Sequence, residues 1–454
     1  MEKNSFQEAY EKIDVPQEDV LKSIQNGMNR ADSEAHKTKK KKKTVVWSSV
    51  AAATLFVSSS FLSPSLSHVM ADVPLLGKVY ENFNDSVGRS LQSQELITEL
   101  NQTASSKGID VSITNAYYDG AVVGVTFKAK GKMNQEESGK VAGLYEIFDG
   151  NEGISDSKEI VHMEKTEDGY IGHIQLSYPK SVLPSDTTFP LEFKTIGGKA
   201  GDWRFDVPIK QLPYETVTLD KNGSDELADV NVHFDSIILG KASTAINYTA
   251  TFPIQGKHDQ VRLAVYDDKG EEMNISMDDI DLETSKNGDQ YIVKGRSIIP
   301  QSVKGETKYL EILPAVAINE KDQFVPLDAS TPVEVKAARQ NLAVTIENIT
   351  IDDQTLAVDF QWNNGDAMNK DFSFFKDFAQ HNVSLVKESE KEIYEEPIKH
   401  SVKTIQKDEL RFRSTFDISQ LNDFNLNNYV LRTELGILSA NIPVELDEVK
   451  IDLE

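Results

Sequence analysis

Eight histidines, no cysteine and several Asp-rich turns are the residues of this chain whose types could do chemistry. The histidines are His36, His68, His162, His173, His233, His258, His381 and His400. None is paired at a spacing that suits two ligands of one metal ion. His162 and His173 stand on what read as neighbouring strands, and a satisfied or exposed imidazole is the expected state of each. The lack of cysteine removes disulfides, thiolate nucleophiles and Cys-based zinc sites together. There is no Gly-x-Ser-x-Gly elbow, Walker loop or dinucleotide fingerprint. Acidic turns at Asp220-Lys221-Asn222-Gly223, Asp267-Asp268-Lys269-Gly270 and Asp278-Asp279-Ile280-Asp281 offer carboxylates to calcium. None has the EF-hand spacing, and hairpin turns select Asp, Asn and Gly for backbone reasons alone. The expectation is a protein that is not an enzyme and uses no metal or cofactor.

The residues best placed for recognition lie near the N terminus. Val20, Leu21, Ile24 and Met28 fall on one face of a helix reading from Pro16 to Asn29. Asp14 can cap that helix, and Pro16 suits its first turn. A lone helix of this length is marginal in water. Its apolar stripe is therefore expected to lie in the groove of a cytoplasmic partner. The alternatives are the inner leaflet, which acidic Glu18 and Asp19 disfavour, or no partner at all.

The elements that place this helix follow from the next stretch. Lys39, Lys40, Lys41, Lys42 and Lys43 precede a run from Thr44 to Ala71 without a single Asp, Glu, Lys or Arg. About 20 mostly apolar residues can cross a bilayer core, and a basic flank stays in the cytoplasm. Residues 44–66 are thus expected to form one transmembrane helix, diluted by Ser and Thr, with Trp47 at the inner interface. The rival is a cleaved signal peptide, for which Val69-Met70-Ala71 and Pro64 would serve. A leader of 1–43 is long and acidic for that role, so an anchor with its N terminus in the cytoplasm and its ectodomain outside is the preferred reading.

Charge divides across the same segment. The first 43 residues hold ten Lys or Arg and eight Asp or Glu; with a net charge of −25 for the chain, the remainder carries −27. Such an ectodomain repels nucleic acid and anionic lipid, and its acidity serves solubility.

Beyond residue 105 the pattern is β throughout, and it repeats near every 115 residues. Val111-Ser112-Ile113 through Asp119-Gly120 to Val125-Thr126-Phe127 answers Val344-Thr345-Ile346 through Asp352-Asp353 to Val358-Asp359-Phe360. Between them, Val230-Asn231-Val232 leads to Ile238-Leu239-Gly240 and Ile246-Asn247-Tyr248. Each copy closes on a proline-bearing strand: Val207-Pro208-Ile209, Pro332-Val333-Glu334-Val335 and Ile442-Pro443-Val444. About 100 residues of alternating strands suit an immunoglobulin-like sandwich. The fold class expected is mostly β: one transmembrane helix followed by three tandem immunoglobulin-like β-sandwich modules, with a short α-helical cytoplasmic segment. The expected boundaries are 1–43 cytoplasmic, 44–66 transmembrane, 67–107 a partly helical stalk with a helix over Leu91–Leu100, then modules at 108–213, 214–338 and 339–454.

Taken in order, the N-terminal part resembles single-pass membrane proteins of Gram-positive bacteria that act as anti-sigma factors, negative regulators of extracytoplasmic-function sigma factors. The residues that carry this are Ile13-Asp14-Val15-Pro16 with the helix to Met28, the lysine run, the Ser-rich span, Asp72-Val73-Pro74-Leu75-Leu76-Gly77-Lys78-Val79-Tyr80-Glu81, Gly108-Ile109, and Tyr117-Tyr118-Asp119-Gly120. The resemblance covers roughly residues 13–130. It implies an inner helix that holds a cytoplasmic sigma factor at the membrane, and an ectodomain that senses the envelope through a ligand not identified. The alternative from another class is a membrane-anchored structural or adhesive surface protein with no cytoplasmic partner.

Overall fold

The computed structural model describes residues 76–147, 159–226, 228–305, 307–352, 354–363, 370–391, 398–419, 421 and 424–453. The cytoplasmic helix, the lysine run and the expected transmembrane helix at 44–66 lie outside them. Among the described residues no helix is long and apolar enough to cross a membrane. What they form is mostly β, in several sheets of antiparallel pairs with a few short helices.

Helices α1 (Leu76–Asn82) and α2 (Ser86–Ser93) come first. The helix expected over Leu91–Leu100 is not there. Glu95 takes a positive φ of 58°, and the chain enters a strand at Thr98. The first β-unit therefore begins ten residues before the expected boundary at 108. It contains β1 (Thr98–Ser106), β2 (Ile109–Asp119), β3 (Val122–Gly131), β4 (Val141–Ile147), β5 (Glu159–Thr166), β6 (Gly169–Ser177), β7 (Asp186–Ile196) and β8 (Lys199–Lys210). They follow one path, β1-β2-β3-β6-β5-β4-β7-β8. Strand β5 turns the corner: Glu159–Met163 pair with β4 and Glu164–Thr166 with β6. Trp203, Phe205, Val207 and Ile209 alternate inward along β8 against Phe127 and Phe193. The Trp203 Nε1 donates to the carbonyl of Ile109 at 2.9 Å, tying the last strand back to β2.

The second unit has β9 (Glu215–Asp225), β10 (Val230–Leu239), β11 (Thr244–Pro253), β12 (Gln260–Tyr266), β13 (Glu272–Met273), β14 (Met277–Asn287), β15 (Gln290–Ile299) and β16 (Tyr309–Ala317). The third has β17 (Gln323–Pro326), β18 (Val333–Lys336), β19 (Ala343–Ile351), β20 (Thr355–Asn363), α3 (Phe372–His381), β21 (Val383–Lys387), β22 (His400–Gln406), β23 (Arg411–Asp417), β24 (Tyr429–Thr433) and α4 (Leu435–Asn441). Two short strands end the chain, β25 (Val444–Glu445) and β26 (Val449–Asp452).

The three units share one plan. Their first layers run β1-β2-β3-β6-β5, β9-β10-β11-β15-β14 and β18-β19-β20-β23-β22. The second strand of each carries a bulge at the same step, leaving Thr114, Asp235 and Glu347 without a partner opposite on β3, β11 and β20. A bulge kinks a strand and re-aims its side chains, so three at one position mark three copies. They also correct the middle register: Val232-His233-Phe234, not Val230-Asn231-Val232, is the counterpart of Val111-Ser112-Ile113.

The copies are not simply in tandem. The other layers run β4-β7-β8 in the first unit, β12-β16 followed by β25 and β26 in the second, and β21-β24-β17 in the third. The place that β8 fills in the first unit is filled in the second by strands from the chain's end. In the third it is filled by β17, which precedes it. The second and third units have exchanged their last strands. The expected boundary at 338/339 thus cuts between β18 and β19, which pair with each other. The strands read as closing copies two and three, at 332–335 and 442–446, each belong to the other unit's sheets.

Candidate functional site

The residues expected to meet a partner, Val20, Leu21, Ile24 and Met28, and the topogenic Lys39, Lys40, Lys41, Lys42 and Lys43, lie outside the described residues. So do His36 and His68. The other histidines are scattered. His162 is exposed beside Glu136 at 3.5 Å, His233 contacts Asn222 at 3.1 Å, and His381 lies against the Asp377 carbonyl at 2.9 Å. His400 is half-buried on the ring of Phe416, and that burial lowers its pKa.

The acidic turns resolve into backbone devices. Asp267 accepts from the amides of Lys269 and Glu271 at 2.9 Å each, which hold its carboxyl below the usual range. Asp220–Gly223 is not a turn at all but part of β9. Asp278 accepts from the amide of Leu263 and from Ser297, joining β14 to β12. Among the described residues no three His, Asp or Glu converge as a metal site would require.

One cluster is built with more care, and it sits where α1 and α2 meet the first unit. Asp85 precedes α2 and caps it, accepting from the amide of Gly88 at 2.7 Å. A cap of this kind contributes about 1 kcal/mol. The same carboxylate, fully buried, accepts from Tyr117 Oη at 2.9 Å and from Gln175 Nε2 at 2.6 Å. His173 Nε2 lies 2.8 Å from it, and His173 Nδ1 lies 2.9 Å from Thr126 Oγ1. Tyr80, on α1, donates to Asn115 Oδ1 at 2.9 Å and sets its ring edge-on to His173, 5.4 Å between centroids. Burial, then the Asp85 charge, holds the Tyr117 hydroxyl well above its ordinary pKa. A Cβ at Gly88 would stand 2.3 Å from Asp85 and 2.4 Å from Tyr80, so only glycine fits there.

Hydroxyl, imidazole and carboxylate in line are the parts of a nucleophilic relay. Here Thr126 is 1% exposed and Tyr80 covers the imidazole, so no substrate carbonyl can approach. What the cluster does is fasten: Tyr117 on β2 and His173 and Gln175 on β6 hold one helix cap, with Thr126 on β3 behind His173. Sequence reasoning passed over it because Asp85 reads as one residue of a stalk and His173 as a lone imidazole. The signal available was Asn84-Asp85-Ser86, a helix start with glycine three residues on.

Around the fastening lies an apolar cluster separate from the cores of the units. It gathers Tyr80, Val87 and Leu91 from the helices, Tyr117, Ala121 and Val122 from the first unit, and Ile238, Ala242, Ala245 and Ile298 from the second.

Two family models match parts of the chain. A domain of unknown function (DUF4179) matches residues 39–131, from the lysine run to the end of β3. A family of unknown function (DUF5643) matches residues 214–346, the second unit with β17, β18 and the start of β19. No curated protein is a match. Among solved structures, the conserved domain protein from Bacillus anthracis is 19% identical over 51% of this chain and 82% of its own, with a TM-score of 0.39. Bovine butyrophilin is 10% identical over 44% and 86%, with a TM-score of 0.14. S. aureus TarS is 11% identical over 51% and 46%, with a TM-score of 0.15. Likenesses at these scores define neither fold nor function.

Proposed function

We propose that this chain is a non-enzymatic, single-pass membrane signalling regulator of the anti-sigma-factor type. Its first 43 residues face the cytoplasm, where Val20, Leu21, Ile24 and Met28 bind a sigma factor, and its β-units lie outside the cell and respond to the state of the envelope. The observation that carries this reading is the order of parts along residues 39–131: lysine run, uncharged apolar stretch, fastened helices, first bulged hairpin. One domain model spans all of them. We infer also that the three units descend from one immunoglobulin-like sandwich, which the shared bulge and shared strand order support.

The test is recovery of a sigma factor on residues 1–43, and its loss on Leu21→Asp with Ile24→Asp. Burying each of these side chains is worth roughly 1.5–3 kcal/mol, and a buried carboxylate costs more than that. In cells the double variant should switch the sigma factor's genes on constitutively. A second reading, a membrane-anchored structural or adhesive surface protein, is favoured by the strand exchange, which suits a load-bearing array. Unchanged transcription in both the double variant and a gene deletion would select it.

A further inference from the structure

We infer that residues 76–97 are a detachable strap, and that the joint between the first and second β-units governs whether it stays fastened. The inference concerns the ectodomain alone and stands whatever the cytoplasmic end binds.

The strap's apolar side chains make no part of either unit's main core. Tyr80, Val87 and Leu91 pack in the small cluster at the joint, whereas the first unit is built on Phe127, Phe193 and Trp203 and the second on Phe234, Tyr248 and Phe252. Removing the strap leaves both cores closed. Its polar hold is concentrated on one carboxylate, Asp85, rather than spread along the helices. It also touches both units at once. Asp85 and Tyr80 are held by the first, while Ser86 Oγ donates to the carbonyl of Pro300 in the second at 3.3 Å, and Ile238 and Ile298 pack in the same cluster.

The joint has its own fastening close by. Asp119, buried at the tip of the β2–β3 hairpin, accepts from the amides of Lys241 and Ala242 at 2.7 and 2.8 Å and from Ser243 Oγ at 2.8 Å. Ala121 and Val122 follow it into the cluster that seats the strap. Opening the joint uncovers Tyr80 and Leu91 on one side, and lifting the strap uncovers Ile238 and Ile298 on the other. Two events that share a buried surface are coupled, and the coupling is reciprocal. Since the strap is the first described element after the apolar stretch in sequence, a change in the angle between the outer units reaches the chain that leads to the membrane.

The test is amide hydrogen exchange on the full-length chain in detergent micelles, wild type against Asp85→Asn and Asp119→Asn. The probes are the amides of Phe83, Asp85 and Arg89, bonded to the carbonyls of Val79, Tyr80 and Asp85. Both variants should speed exchange at these amides at least tenfold, while β3 and β11 keep their protection. If Asp119→Asn misfolds, Ser243→Ala weakens the same contact without removing the carboxylate. Faster strap exchange in Asp85→Asn alone would overturn the coupling. Strap amides that open only together with β2 and β3 would overturn the strap itself, making α1 and α2 an inseparable part of the first unit.

Discussion

The joint between the first and second units and the joint between the second and third use opposite constructions. At the first, two finished surfaces dock. The β2–β3 hairpin seats Asp119 against the turn before β11, and Arg296 of β15, fully buried, donates to the carbonyls of Tyr178 and Lys180 at 2.9 and 3.3 Å. Among the described residues that guanidinium meets no carboxylate, and burial lowers its pKa to about 10. At the second joint the units share strands instead. Among the described residues no buried apolar cluster spans it; Arg339, in the loop between β18 and β19, reaches into the second unit, its Nη1 2.7 Å from the buried Asp259 and its Nε and Nη2 donating to the carbonyl of Ala228. A docked joint can open without costing either unit a strand. An exchanged one cannot.

The largest effect expected from that difference is on fragments. Residues 76–213 contain every strand of the first unit and should unfold as one cooperative transition. Residues 214–338 lack β25 and β26, and with them Leu446, Val449 and Ile451 of the second core. That fragment should show no cooperative unfolding by circular dichroism, whereas a chain of 214–453 should. A cooperative transition in 214–338 would mean that β17 can fill the vacant edge of β16, and the exchange would lose its structural importance.

Next in size is Arg339→Ala. It strands the buried Asp259, whose other oxygen accepts from the amide of Asn319 at 2.8 Å. Breaking a buried pair from one side costs about 3–5 kcal/mol, read as a lower denaturant midpoint for the second and third units together. If only the third unit loses stability, the ion pair is not what ties the two.

Which parts of this were visible in the sequence follows from how much each residue announces its role. The copies were legible because Ile113, Phe127, Ile346 and Phe360 alternate at fixed spacing and are all fully buried. The middle copy slipped by one pair because both readings, Val230-Val232 and Val232-Phe234, alternate inward equally well. Only the bulge at Asp235 distinguishes them. The exchange was hidden because β25 is two residues long and Pro443-Val444 has the look of any closing strand. Local pattern specifies a strand's faces, not its partner. A difference between copies points the same way: Gly172 and Gly295 lie under the rings of Phe127 and Tyr248, whereas the third unit sets Phe412 beside Phe360. A ring covering a strand glycine stabilises pairing, but sequence alone does not reveal which glycine it covers. The fastening at Asp85 went unread because its partners, at 117, 173 and 175, are distant along the chain.

The second unit should also respond to pH. Burial raises the Asp279 carboxyl from an ordinary 3.8 to about 7, with the charges of Asp281 and Asp278 adding to the rise and Arg262 opposing it. Tyr248 faces the same group, and Met277 and Ile280 on either side pack against the joint's apolar cluster. Between about pH 4 and pH 7 the folded chain therefore holds a proton that the unfolded chain has released. Stability falls as pH rises through that window. Partial exposure screens the effect, so it should amount to no more than about 2 kcal/mol. Denaturant titrations at pH 5 and pH 8 should show it, and Asp279→Asn should flatten it, leaving only the smaller slope from Asp281, whose carboxyl burial also raises. An undiminished slope in Asp279→Asn would assign the pH response elsewhere.

The smallest effect tests the seam between strap and joint. Ser86 Oγ reaches the Pro300 carbonyl at 3.3 Å, longer than a strong hydroxyl bond, and the contact is only partly buried. Ser86→Ala removes it without touching the cap at Asp85 or the apolar cluster. A neutral hydrogen bond contributes about 0.5–1.5 kcal/mol, and one this long should fall at the lower end, near 0.5 kcal/mol. Alanine also favours helix at the first position of α2, which offsets part of the loss. Global stability should then be unchanged within error, while hydrogen exchange at Arg89 quickens about twofold. That pairing of outcomes is informative because the bond is one of the few polar contacts running from the strap to the second unit. If exchange at Arg89 does not change, the strap's hold on the second unit is apolar, through Ile238 and Ile298, and the Ser86 contact adds nothing to the seam.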